Sequence, residues 1–164
     1  MASGNTLCVF TPLANEPPAS AFATFDLRNS VPVLDFDDST DESAVFGGVL
    51  PANYAGGGLT VTLVWMATSA TSGDVVWNVD IEAHPDDAFD IDADGFVGAN
   101  AATGTTASAT GEQQYTAITF TDGADMDSLA ATESFRLKVT RDANNGSDTM
   151  SGDAELLRVI VKET

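Results

Sequence analysis

Basic residues are scarce in this chain. Six Lys and Arg stand against 25 Asp and Glu, for a formal net charge of -19. Nucleic-acid affinity comes mostly from cations that neutralise phosphates, so nucleic acid is excluded as a partner, and an anionic membrane surface with it. Cysteine is nearly absent: Cys8 stands alone, so no intrachain disulfide forms, which fits folding in a reducing cytosol. His84 is the only histidine, and zinc sites draw on several Cys and His ligands, so His84 before Pro85 reads as a loop residue. No apolar run approaches the ~18 residues of a membrane span. The opening Met1-Ala-Ser-Gly-Asn is polar and unlike a secretory leader. No internal repeat is present, which argues against a propeller or solenoid.

What remains is a chain of 164 residues, 43% apolar, the size and composition of one domain with one core. Its centre is Leu59 to Glu82. Leu59, Val61, Leu63 and Trp65 share one face by alternation, as do Val75, Trp77, Val79 and Ile81. The small polar stretch between them predicts a hairpin. If Ala67 pairs with Val75, Trp65 lies opposite Trp77, and both tryptophans are core residues.

Around that centre the alternation predicts strands at Ala21–Leu27, Val33–Phe36, Ser43–Val49, Tyr115–Thr121, Phe135–Val139 and Leu157–Val161. A weak Thr/Ala-rich strand is expected within Ala99–Thr110 and one helical turn within Asp125–Ala131. Gly47-Gly48 suggests a bulge or a close backbone approach. About nine or ten short strands without an amphipathic helix predict an all-β, antiparallel, jelly-roll-like β-sandwich. An immunoglobulin-like sandwich is the alternative, without the paired cysteines of antibody domains. Residues 1–20, with Pro12, Pro17 and Pro18, read as an extended arm before a single sandwich domain at 21–164. Leu7, Val9 and Phe10 would be its apolar tip, reaching either a neighbouring subunit or the arm's own sandwich.

Few residues promise chemistry. Asp90-Ile-Asp92-Ala-Asp94-Gly95 matches the opening of a calcium loop, but Ala101 stands where a bidentate Glu is required, so Asp90, Asp92 and Asp94 form only a weak calcium candidate. A denser acidic turn runs from Asp35 to Glu42. Carboxylates are abundant, yet they lie in turns among small residues, so no glycosidase pair is assigned and the expectation is a non-enzymatic protein without a cofactor. Tyr54 and Tyr115 are possible sugar-stacking residues beside the two tryptophans, and Tyr54, in the Gly-rich loop, is the favoured exposed contact. Five of the six cations lie at Arg136 or later. Arg136 and Lys138 point outward from their strand, either balancing nearby acids or forming a basic face for another subunit.

Several strings resemble small structural proteins of tailed-phage virions. They are Thr40-Asp-Glu-Ser-Ala-Val-Phe-Gly-Gly-Val-Leu-Pro51, Leu59-Thr-Val-Thr-Leu-Val-Trp65 and Phe135-Arg-Leu-Lys-Val-Thr-Arg-Asp142. The resemblance covers roughly 20–163 and carries no catalytic motif. It implies a β-sandwich made in the host cytoplasm and placed on the capsid exterior. There a homo-oligomer, a trimer by expectation, would dock on the major capsid protein or another virion protein as a decoration (cement) protein. The alternative it implies is a tail-associated receptor- or glycan-binding domain.

Overall fold

The computed structural model describes residues 4–164. Ten strands build two sheets: β1 Thr6–Phe10, β2 Thr24–Arg28, β3 Val31–Phe36, β4 Glu42–Val49, β5 Leu59–Ala67, β6 Asp74–His84, β7 Asn100–Thr105, β8 Gln114–Phe120, β9 Ser134–Arg141 and β10 Ala154–Glu163. The larger sheet runs β2-β3-β10-β5-β8, and β1 also pairs with β10. The smaller sheet runs β4-β9-β6-β7. Every pairing within the sheets is antiparallel. The fold is a jelly-roll-like sandwich, as the strand pattern predicts.

The central hairpin does not form. β5 pairs with β10 and β8, whereas β6 pairs with β9 and β7, so the segment between them arches from one sheet to the other. The faces are nevertheless those the alternation predicts: Leu59, Val61, Leu63, Trp65, Val75, Trp77 and Val79 are fully buried. Two apolar faces opposed across a sandwich satisfy the same period-two pattern as two faces side by side in a hairpin. The tryptophan rings still meet, 5.9 Å apart and edge-on, but across the core. Phe36 packs edge-on to Trp77 at 5.1 Å. The arch closes tightly at Gly73, whose φ of +99° and contacts with the Thr149–Met150 backbone leave no room for a side chain.

The arm expectation is corrected for the described part. Thr6–Phe10 forms β1 on its own sheet, and Phe10 is buried, stacked on Phe46 at 5.5 Å. The cause lies partly in Gly48. A Cβ there would stand 2.9 Å from the Phe10 ring, so the glycine leaves the space the ring occupies. Gly47-Gly48 is thus a close approach, and the β4–β9 register runs through it without a bulge. The expected helical turn is a short 3-10 turn at Ala124–Met126.

Candidate functional site

Most of the expected site residues are structural. Tyr54 is buried, and its hydroxyl donates to Asp122 Oδ1 at 2.9 Å and accepts from the Gly58 N–H at 3.0 Å. It pins the Gly-rich loop and offers no exposed ring, which corrects the expectation of a surface contact. Arg136 and Lys138 do lie on the outer face of the smaller sheet, but they are engaged. Arg136 Nη2 binds both Glu82 oxygens at 2.8 Å, and Lys138 Nζ lies 3.3 Å from Asp80. Both cations sit over the Phe96 ring, at 5.3 and 4.6 Å from its centroid. They balance two buried acids under the 85–99 loop, so they make no free basic face.

His84, at the end of β6 rather than in a loop, stacks on Phe89 and bonds Glu82. Asp90, Asp92 and Asp94 are exposed, and their carboxylates close their own turn: Asp94 accepts from the Asp90 N–H, and Asp90 from that of Asp92. The carboxylates that converge are Asp37, Asp38 and Asp153, with oxygens within 4.8 Å of one another. Burial, then Asp37 and Asp38, raise the Asp153 carboxyl above the usual range. Of the arm residues, Leu7 is half-buried, Phe10 is core, and Val9 is exposed on the outer face opposite Ile160.

The site the structure does assemble is the outer face of the larger sheet. β8 is in phase with Thr116, Ile118 and Phe120 inward, so Tyr115 faces out, paired with Val64 on β5. β10 carries an extra residue, with the register shifting between Leu156 and Arg158. This bulge turns Leu157 and Arg158 to the outer side together. Tyr115 (64% exposed), Gln113, Arg158, Ile160, Val31, Val64 and Leu157 then line a groove of about 290 Å³. A second hollow of about 380 Å³ shares Val31, Gln113 and Leu157 and adds Arg28, Asn29, Met66, Thr110 and Gly111. The floor is apolar and preformed, because Val33, Met66 and Leu157 make a small cluster of their own outside the main core.

The two cations here differ. Arg28 Nη1 is bonded to Glu155 and to the Ala67 carbonyl. Arg158 bonds only the carbonyl of Leu157 beside it and makes no ion pair among the described residues. At the Arg28 end, burial first, then the charges of Glu155 and Asp26, push the Asp35 carboxyl up to about 6. Sequence reasoning included Tyr115 among possible stacking residues but missed Gln113 and Arg158. The signal for Tyr115 was available in its phase opposite Thr116, Ile118 and Phe120. No signal marks the bulge that presents Arg158.

No protein-family model matches the chain, and no curated protein matches it. Among solved structures it is similar to a family GH115 4-O-methyl-alpha-glucuronidase with specificity for decorated arabinogalactans. That likeness has a TM-score of 0.52 at 11% identity and covers 98% of this chain but 18% of the enzyme. Weaker likenesses reach a carbohydrate-binding module of specific mannan recognition and a module specific for non-crystalline cellulose. The first has a TM-score of 0.40 at 11% identity, covering 99% of this chain and 90% of that one. The second has a TM-score of 0.41 at 10% identity, covering 92% and 85%. At such identities the likeness is one of fold alone.

Proposed function

We propose that the chain is a non-catalytic glycan-binding β-sandwich, the tail-associated receptor- or glycan-binding alternative of the phage resemblance. Its ligand would lie on the outer face of the larger sheet. The observation that carries this reading is Tyr115: an aromatic ring 64% exposed at the rim of a groove, with the Gln113 amide and the Arg158 guanidinium beside it. A sugar ring offers an apolar C–H face to an aromatic and a rim of hydroxyls to planar polar groups, and preformed grooves with few polar groups suit such ligands. The tryptophans and Tyr54 take no part, being interior. The fold likeness to part of a glucuronidase acting on decorated arabinogalactans is in keeping with this reading.

A glycan array with the wild-type chain and Tyr115→Ala tests it. The expected result is binding that Tyr115→Ala weakens at least about tenfold, ~1.4 kcal/mol, with an unchanged melt. Background signal everywhere, or a hit indifferent to Tyr115, overturns the reading.

One observation favours the second reading, a homotrimeric capsid decoration protein. Phe25 and Leu27, on the edge strand β2, pair with Leu34 and Pro32 on the core side of the larger sheet, yet they are 49% and 56% exposed. They form an apolar edge available to another subunit. Light scattering and co-sedimentation with capsids test it: Phe25→Glu/Leu27→Glu should abolish association, and a wild-type monomer that stays off particles removes it.

A further inference from the structure

The glycan groove is set apart by its charge. The chain carries 25 acids, and three other hollows each include at least one: Asp122 beside Tyr54, Asp94 and Asp127 beside Phe89, Asp86 and Glu133 beside His84. Neither half of the outer-face groove has a carboxylate in its lining, and each half has an arginine. At the Arg28 end the charge is compensated, since Arg28 pairs with Glu155 while Asp26 and Asp35 face the same side of the sheet. The Arg158 end is different. Arg158 is bonded only to a neighbouring carbonyl, and its flanks in the groove are Tyr115, Gln113 and Ile160.

Lys162 stands four residues further along the same strand, on the same outer face, and it too makes no ion pair among the described residues. At the ~3.3 Å rise of a strand, Arg158 and Lys162 are roughly 13 Å apart, with Ile160 between them. In a chain of net charge -19, Arg158 in a groove whose lining holds no carboxylate, with Lys162 beyond it on the same face, places two cations without an ion pair among the described residues along one strand. A neutral ligand has no use for them.

We infer that the groove takes an acidic polysaccharide whose sugars carry carboxylates, a polyuronate. One ring stacks on Tyr115 while its carboxylate meets Arg158, and a further carboxylate along the chain meets Lys162. A guanidinium presents a planar pair of donors to a carboxylate, and a charged hydrogen bond of this kind is roughly twice as strong as a neutral one. The acids elsewhere repel a polyanion, so they confine it to this groove. The inference rests on the glycan-binding reading above and adds the class of sugar.

The test is calorimetric titration of the full chain with hexamers of galacturonate and mannuronate and with the same hexamers after reduction of their carboxyls. One acidic hexamer should bind about tenfold or more tighter than its reduced form. Arg158→Gln should remove most of that preference, weakening the acidic hexamer far more than the reduced one. Lys162→Gln should lower it in part, and Tyr115→Ala should weaken acidic and reduced forms alike. Equal binding of the acidic and reduced forms, with Arg158→Gln silent, overturns the polyuronate inference and leaves the glycan reading standing. Acidic binding that survives both Arg158→Gln and Lys162→Gln also overturns it. Absence of binding to these hexamers and to a neutral glycan array overturns both.

Discussion

Arg141 offers the severest test of the fold, because removing it leaves a buried charge without its partner. Its side chain is fully buried, and its guanidinium donates five bonds. Two go to Asp148 at 3.1 and 2.8 Å, and the others to the carbonyls of Phe36 (3.2 Å), Gly152 (2.9 Å) and Met150 (2.8 Å). It thereby ties β9 and β3 to the 142–153 loop. Breaking a buried pair from one side costs ~3–5 kcal/mol. The three carbonyls left behind add to that, at about 1 kcal/mol each where water does not reach them. Arg141→Ala should therefore lose at least about 4 kcal/mol, a large part of the 5–15 kcal/mol typical of a domain. Arg141→Lys keeps the charge but cannot fork, and about 2–3 kcal/mol is expected. Urea denaturation at constant m-value measures both. Arg141→Met with Asp148→Asn should recover part of the loss, because no uncompensated charge remains. A loss below about 1 kcal/mol for Arg141→Ala, or a double variant no better than the single one, would mean that this guanidinium does not hold β9 and β3 to the loop.

The remaining predictions concern the core, the pH response and the first strand. Trp77→Ala should cost ~3–5 kcal/mol as an emptied aromatic site, and Tyr54→Phe about 1–2 kcal/mol for the lost hydroxyl bonds; equilibrium denaturation separates them, and a silent Tyr54→Phe would mean that Asp122 and Gly58 find water instead. Asp35 has one buried oxygen without a partner, and its folded carboxyl titrates near 6 against a usual 3.8, so its contribution to stability is full below about 3.8 and lost as pH rises through 6. Asp35→Asn should accordingly exceed wild type by about 1–2 kcal/mol at pH 8, an upper figure of ~3 discounted for partial solvation, with the two curves merging below about pH 4. Deleting residues 1–10 removes β1 and the Phe10 ring, so the melting temperature should fall by several degrees; an unchanged melt would return these residues to the role of an independent arm.

The strand pattern was legible because alternation is a local property. Leu59 to Trp65 and Val75 to Ile81 announce their faces whichever partner they choose, and every residue expected inward on those strands is buried. Partner choice is not local. Thr68 to Gly73 is long enough for a hairpin or for an arch, and what decides is β10, almost a hundred residues further on, which pairs with β5 along most of its length. The arm failed for a related reason. Leu7, Val9 and Phe10 look like an apolar tip in search of a partner, and the partner is β10 of the same chain together with a space left by Gly48. Prolines at 12, 17 and 18 show where pairing stops; they say nothing about where the preceding strand goes.

The site was less legible, because its two determinants act against the usual signals. Glycine-rich surroundings suggest an accessible Tyr54, but the glycines at 56–58 let the loop fold over the phenol, and Gly58 gives its own N–H to the hydroxyl. Tyr115, by contrast, stands in a regular strand, where an aromatic is ordinarily a core residue, and it is exposed because its neighbours Thr116, Ile118 and Phe120 take the inner positions. Net charge misleads in the same way. A value of -19 describes the average surface. The six cations divide into Arg136, Lys138, Arg141 and Arg28, each spent on a neighbouring acid, and Arg158 and Lys162, which are not. The average therefore hides two unpaired cations on the outer face of the larger sheet, and the register of β10 places both of them there.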